Sequence, residues 1–409
     1  MKTVITNCHL IDAVSDEARP DSTVAVEDGR IVQVVWGGGQ VETDGAEIID
    51  GQGGWLLPGL WDVHTHLMFP DAPPDGLAAR VVEYGRKAIE GLKEGGVTGI
   101  RCAGHENWID VALKRAFDSG EWIGPRVFAA GYFLTTSAGH CAQWPFSKAC
   151  DGPDEFVLAV REQIKNGADH IKLNLTGGIM GPSWDRHWHS FFLPDELEAT
   201  FQICRDRGMK VMSHAANPQA VKDAIRLGTW TVEHGYIMVD ECIQMMLDKK
   251  VIYVPTLGIS HLTPKQVTNE WEEGYLSGRG IPEEMLDRAD AASEEHKHWF
   301  QTALKAGVKM ALGSDLGPVK DAVHLEMGLW VRNGATPMQA IKAATRYAAE
   351  TCGVGDELGT VEVGKIADLI LVRDNPLEDI SNLRKLLMVF KDGVLVSDKR
   401  NSEKTRLRR

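Results

Sequence analysis

The sequence predicts an α/β chain built as an eight-unit (β/α)8 TIM barrel, flanked by a composite β domain formed from both chain ends. Three observations predict it. Across positions 58–356, short apolar strands alternate with helical stretches, the mark of parallel βα units. The two ends read instead as short strands separated by turns. The length of 409 residues exceeds one ordinary domain and suits a large barrel with a smaller companion.

In the first segment, Val4-Ile5 and Thr23-Val24-Ala25-Val26 read as strands, as does Arg30-Ile31-Val32-Gln33-Val34-Val35 after the Asp28-Gly29 turn. The C-terminal end has the same character in Ala367-Asp368-Leu369-Ile370-Leu371-Val372, in Leu387-Met388-Val389-Phe390, and in Val394-Leu395-Val396 after Asp392-Gly393. Neither end can close a core alone, so 1–57 and 357–409 are expected to meet as one β-sandwich, leaving 58–356 as the barrel. Barrel strands are expected at 59–66, 97–101, 127–133, 170–175, 210–214, 231–234, 251–257 and 308–315. Helix boundaries support the count. Asn217-Pro218 opens a helix that buries Val221, Ala224 and Ile225 and stops at Gly228. Helices over 153–167 and 194–208 each start at a proline and close on glycine.

Composition excludes several function classes. Hydrophobic residues at 43% with 25% charged describe a globular chain, and no apolar run approaches a bilayer span. The net charge of −14 opposes nucleic acid and anionic membranes. The only basic run, 404–409, reads as a frayed terminus. Seven scattered cysteines without a Cys-x-x-Cys pair fit reduced thiols, and the first ten residues lack a signal-peptide core, so the cytoplasm is expected.

Barrel enzymes place reactive groups at the carboxyl ends of their strands. The first expected strand ends in His64-Thr65-His66, whose period-two alternation points both imidazoles to one side, a pairing that suits zinc. The fourth delivers Lys172, the fifth His214, the sixth His234 and the eighth Asp315. A barrel core prefers valine, isoleucine or leucine there, and a lysine beside histidines needs an anionic or metal partner. Singly, each residue has a plain reading as a satisfied core histidine, an edge lysine or a turn aspartate. Their common location at strand ends favours a site.

Through Pro58-Gly59-Leu60-Trp61-Asp62-Val63-His64-Thr65-His66, Gly313-Ser314-Asp315 and the 359–369 stretch, the chain resembles the amidohydrolase superfamily, in particular its prolidase-like, imidazolonepropionase-related branch. The resemblance implies two divalent metal ions, zinc by expectation, with His64, His66 and Asp315 on one and His214 and His234 on the other. It also implies a CO2-derived carbamate on Lys172 bridging them. Hydrolysis would use a hydroxide between the ions, with Asp315 as general base and proton shuttle. His140 and Tyr236 resemble the histidine and tyrosine that this branch uses on substrate, where they would hold an oxyanion or a carboxylate. Cys141 departs from the branch, which has a glycine-like residue there. So does the aromatic loop around Trp184 and Trp188, which with Trp144 and Phe146 would either wall a pocket for a bulky acyl group or pack against another subunit.

The expected reaction is cleavage of the amide bond of a small molecule, a dipeptide of the Xaa-Pro type or an N-acyl amino acid. Hydrolysis of aromatic amides, ureas or carbamates of mycotoxin or herbicide type is the alternative favoured by the aromatic loop. Lys172 argues against a cyclic-amide hydrolase or deaminase, and the complete ligand set argues against a non-catalytic scaffold. Resemblance and the large barrel surface imply a homo-oligomer.

Overall fold

The structure is a computed structural model and describes residues 2–67 and 75–400, so the basic run 404–409 lies outside the described residues. Four strands open the chain: β1 (Lys2–Leu10), β2 (Arg19–Glu27), β3 (Arg30–Val35) and β4 (Glu47–Pro58). Nine follow through the middle: β5 (Leu60–Thr65), β6 (Val97–Cys102), β7 (Arg126–Phe128), β8 (Phe133–Thr135), β9 (Ser147–Ala149), β10 (His170–Asn174), β11 (Lys210–Ala215), β12 (Thr231–His234) and β13 (Ile252–Val254). Three close it: β14 (Leu369–Val372), β15 (Leu386–Lys391) and β16 (Val394–Asp398).

Both ends of the chain meet in one seven-stranded sheet of order β16-β15-β14-β4-β1-β2-β3. β4 stitches them together, pairing parallel to β1 and antiparallel to β14. Alternate residues of these strands, among them Ile5, Val24, Val26, Leu56, Leu371, Met388 and Phe390, form a core separate from that of the central region. β4 carries Gly51 and Gly54 because neighbouring backbones pass too close for a side chain. A Cβ at Gly51 would sit 2.8 Å from the Thr6 carbonyl oxygen, and one at Gly54 2.7 Å from that of Val372.

The central region is α/β, with parallel strands in two sheets, β5-β6-β7 and β13-β12-β11-β10-β8-β9, and helices between them. Helix ends follow the capping signals: Pro153–Asn166 ends on left-handed Gly167, and Asn217 accepts from the Ala220 N–H to start Pro218–Leu227, which ends on Gly228. Pro194–Asp206 ends on Arg207, one residue short of the expected glycine.

Two strands differ from expectation. The third, expected at 127–133, is split into β7 and β8. The Ala130 and Gly131 amides between them donate to the buried Asp110 carboxylate instead of to a strand, and Gly131 turns the chain at φ 66°. The eighth, expected at 308–315, is no regular strand. Its Met310 forms an isolated parallel bridge with Tyr253, while the Val63 amide donates to the Leu312 carbonyl and the Asp315 amide to that of His64. Gly313 allows that approach, since a Cβ there would lie 2.6 Å from the His64 Cβ. Among the described residues, no helix is long and apolar enough to cross a membrane.

Candidate active site

The carboxyl ends of β5, β10, β11 and β12, with the 313–315 segment, open into one cavity of about 260 Å3. His64, His66, Lys172, His214, His234 and Asp315 all line it. The ligand atoms of His64, His66 and Asp315 lie within 4.8 Å of one another, the two Nε2 atoms standing 3.6 and 3.5 Å from Asp315 Oδ1. On the opposite side the His214 and His234 rings are 4.3 Å apart, and His234 is 4.9 Å from His64. Lys172 is 2% exposed.

Each of the four imidazoles is turned by an acceptor on its far side. His64 Nδ1 bonds Glu233 Oε2 at 2.7 Å, and His66 Nδ1 bonds the Gly104 carbonyl at 3.0 Å. His234 Nδ1 bonds Thr256 Oγ1 at 2.6 Å, and that hydroxyl itself donates to the Pro255 carbonyl. His214 is inverted, bonding the Gly177 carbonyl through Nε2 at 2.9 Å. A neutral ring that donates from one nitrogen carries a lone pair on the other. Burial, reinforced by nearby cations and neighbouring rings, holds all four pKa values well below that of an ordinary histidine. Four neutral rings thus present four lone pairs, through Nε2 of His64, His66 and His234 and Nδ1 of His214.

The backing is built as tightly as the lining. Glu233 is fully buried and joins His64 to the fully buried Arg101, whose guanidinium lies 2.9 Å from Oε1 and also donates to the Val63 carbonyl and Thr231 Oγ1. Asp62 accepts from the His64 amide and from the amide and hydroxyl of Ser314, so one carboxylate fixes both strand ends that carry His64 and Asp315. His234 and Asp315 adopt left-handed backbone at φ 71° and 54°, held by the Tyr253 hydroxyl on the His234 carbonyl and by the Asp315 amide on that of His64. Burial raises the Asp315 carboxyl and lowers the Lys172 amine.

His140 and Tyr236 are placed differently. His140 forms part of the cavity wall, its ring 4.4 Å from that of His214, and its Nδ1 bonds the buried Asp185 at 2.7 Å. Tyr236 is 1% exposed and stacks behind His234 at 5.4 Å, with His296 against its other flank. The aromatic loop does not wall the cavity as one option supposed: Trp184 and Trp188 are 43% and 54% exposed, and neither lines it. Phe133, Trp144 and Phe146 supply the aromatic wall instead.

Several site residues escaped the sequence reading. Asp185 was seen only as part of the aromatic loop, and Glu233, Arg101 and Asp62 were hidden inside apolar strands. Arg279, lining the cavity from the loop after the Glu270–Leu276 helix, had no signal beyond its type. Asn174, one turn of the β10 alternation beyond Lys172, lines the cavity with Nδ2 on the His140 carbonyl and a buried, unpartnered Oδ1.

Imidazoles, carboxylates and a buried lysine gathered at the ends of parallel strands form the kind of site that metal-assisted hydrolysis requires. The model of the amidohydrolase family matches residues 55–396. The chain belongs to that family and is an amide hydrolase. It is 30% identical to the ochratoxinase of Aspergillus niger over 379 residues, covering 83% of this chain and 75% of that protein. A Xaa-Pro dipeptidase crystallised with methionine in its active site superposes with a TM-score of 0.85 at 30% identity, over 97% of this chain and 99% of the other. A prolidase in complex with N-methylphosphonate-L-proline superposes at 0.83 with 26% identity, over 97% and 100%.

Proposed function

We propose that the chain is a binuclear, zinc-dependent hydrolase of N-acyl amino acids, Xaa-Pro dipeptides included. Residues 58–356 would form one closed (β/α)8 barrel, with 1–57 and 357–409 as its companion β domain. The observation that carries the reading is the set of four neutral imidazoles, each with a lone pair fixed by an acceptor behind it. Lone pairs of buried imidazoles brought beside a carboxylate form a donor set for a cation, and borderline-soft nitrogen donors with a carboxylate suit zinc. His64, His66 and Asp315 would hold one ion and His214 and His234 the other. Lys172 would join them as a carbamate: burial lowers its pKa and so makes more of the neutral amine available, the form that adds CO2 and releases a proton. When bound, the ions polarise the amide carbonyl and make water acidic enough to act as a nucleophile near neutral pH.

Asp315 would take the proton of the attacking water and pass it to the leaving nitrogen. His140 would donate to the substrate oxygen, oriented by Asp185, while Tyr236 supports His234 from behind. Arg279, whose Nε donates to the Tyr275 carbonyl and NH2 to that of Gly317, is a fixed cation at the cavity wall suited to a free carboxylate. Phe133, Trp144 and Phe146 would receive an apolar or aromatic acyl group, and the unpartnered Asn174 Oδ1 an N–H of the substrate. The similarity to an ochratoxinase and to a prolidase fits a substrate with those two ends. The outward-facing Trp184 and Trp188 favour the reading in which their loop meets a second copy of the chain. The free cysteines fit a cytoplasmic setting.

The test is a screen of zinc- and bicarbonate-supplied protein against N-acyl amino acids, Xaa-Pro dipeptides and carboxylate-free aryl amides and ureas. Turnover is expected on the first two classes, with Arg279→Met raising KM by about tenfold or more for them. Fastest turnover on carboxylate-free substrates, unaffected by Arg279→Met, would select the aryl amide reading instead.

A further inference from the structure

We propose that Cys141 and His140 form a third, inhibitory binding site for a thiophilic divalent cation, separate from the catalytic ligands and opening into the same cavity. Both residues line the cavity, and Cys141 is the only cysteine to do so among the described residues. The Cys141 Sγ lies 3.4 Å from His140 Nε2. Zinc bonds of about 2.3 Å to sulfur and 2.0–2.1 Å to nitrogen span that separation at an angle of about 100–105°, near the tetrahedral value. The existing contact is therefore already a two-donor bite for such an ion, without movement of the backbone.

Asp185 completes the arrangement from behind. Its Oδ2 accepts a hydrogen bond from His140 Nδ1 at 2.7 Å, while its Oδ1 accepts one from the Gly178 amide at 3.0 Å. The bond to His140 keeps Nδ1 as the donor and turns Nε2 toward Cys141, where the neutral ring presents a lone pair, and a carboxylate behind a histidine raises its basicity as a ligand. The carboxylate also has an atom within 4.8 Å of ligand atoms of both other residues. The Met180 carbonyl oxygen lies 3.7 Å from Sγ, and water would fill what remains.

Binding to the neutral His140 ring converts the Cys141 thiol to thiolate and releases its proton to solvent, so the divalent ion replaces one proton and the local charge rises by one; a ring protonated on Nε2 releases that proton as well. With two protein side chains as ligands, the site fills after the catalytic centre, which offers six. Its consequence follows from His140. The third ion would hold Nε2 through its lone pair, whereas the role assigned above needs Nε2 to carry a proton toward the substrate oxygen, so occupancy removes that donor and blocks turnover. Only this last step rests on the proposed function; the binding site stands on the Cys141–His140–Asp185 geometry.

The experiment loads metal-free protein with two equivalents of zinc and bicarbonate, then titrates cadmium into wild type, Cys141→Ser and Cys141→Ala. It reads the ultraviolet thiolate-to-cadmium charge-transfer band alongside turnover of a substrate from the screen. In wild type, one further equivalent is expected to bring up the band while turnover falls at least tenfold. Cys141→Ala should show no band and retain, relative to its own two-zinc rate, most of its turnover at the same cadmium concentration. A band that persists in Cys141→Ala, or no band in wild type at millimolar cadmium, overturns the site. Equal loss of turnover in all three proteins without a band assigns the inhibition to exchange at the catalytic centre and likewise overturns it. If no amide substrate is found, the proposed function fails while the band still decides the site.

Discussion

Replacing Glu233 by glutamine keeps the shape of the side chain and removes its charge, and the structure gives the cost on two sides. Both oxygens of that carboxylate face donors: His64 Nδ1 at 2.7 Å from Oε2, and on Oε1 the Arg101 guanidinium at 2.9 Å together with the Thr231 hydroxyl, with Glu233, His64 and Arg101 at most 1% exposed. An amide satisfies only one of these two sides as acceptor. If its oxygen faces Arg101, its NH2 faces His64 Nδ1, and the ring must carry its proton on Nε2, the nitrogen directed at Asp315. If the oxygen faces His64, the NH2 confronts a buried guanidinium. The first outcome removes a ligand lone pair, a change worth about 10–100-fold in metal affinity, or about 1.4–2.7 kcal/mol. The second leaves a buried cation short of its counter-charge, which destabilises by up to about 3–5 kcal/mol. Competition against a chromophoric chelator measures the first, and thermal unfolding of the metal-free protein the second. A Glu233→Gln protein unchanged in both would refute the view that this carboxylate sets the tautomer of His64.

Two further outcomes are expected. His324 lies away from the site, donates from Nε2 to the Gly95 carbonyl, and is pushed down by burial from 6.5 to about 4. A depressed folded pKa contributes stability that is complete above 6.5 and lost as pH falls toward 4, by about 1.4 kcal/mol per pH unit. His324→Asn keeps a donor and cannot titrate, so the stability difference from wild type should shift in its favour across that window in urea unfolding; a pH-independent difference contradicts the assignment. Asp185→Asn should lower kcat by about a hundredfold through misorientation of His140 while leaving metal content unchanged. An unaltered kcat would remove His140 from the reaction.

The donor residues were legible because chemistry and periodicity agree at them. His64-Thr65-His66 is polar where a barrel strand should be apolar, and Lys172, His214 and His234 fall in expected strands at places where a barrel core prefers valine, isoleucine or leucine. Their backing was not legible, because Glu233 and Asp62 sit beside His234 and His64 in sequence and reveal their partners only across strands, as with Arg101 and Ser314. The aromatic loop misled in a physical sense: Trp184 and Trp188 have the composition of a pocket wall, yet they are exposed, and the loop reaches the site through the fully buried Asp185, on His140. β4 was missed because Gly51-Gln52-Gly53-Gly54 breaks the alternation that marks a strand, and only the packed neighbours show why glycine is required. The eighth strand was placed correctly along the chain and wrongly as a ladder, since Gly313 brings that segment against His64 in place of regular pairing.

The central claim is that hydrolysis needs two metal ions held around Lys172. Metal-free protein, supplied with bicarbonate and titrated with zinc while amide turnover is followed, tests it most directly. Activity is expected to appear with the second equivalent and to be lost in Lys172→Ala; full activity at one equivalent, or in Lys172→Ala, would contradict a two-metal site.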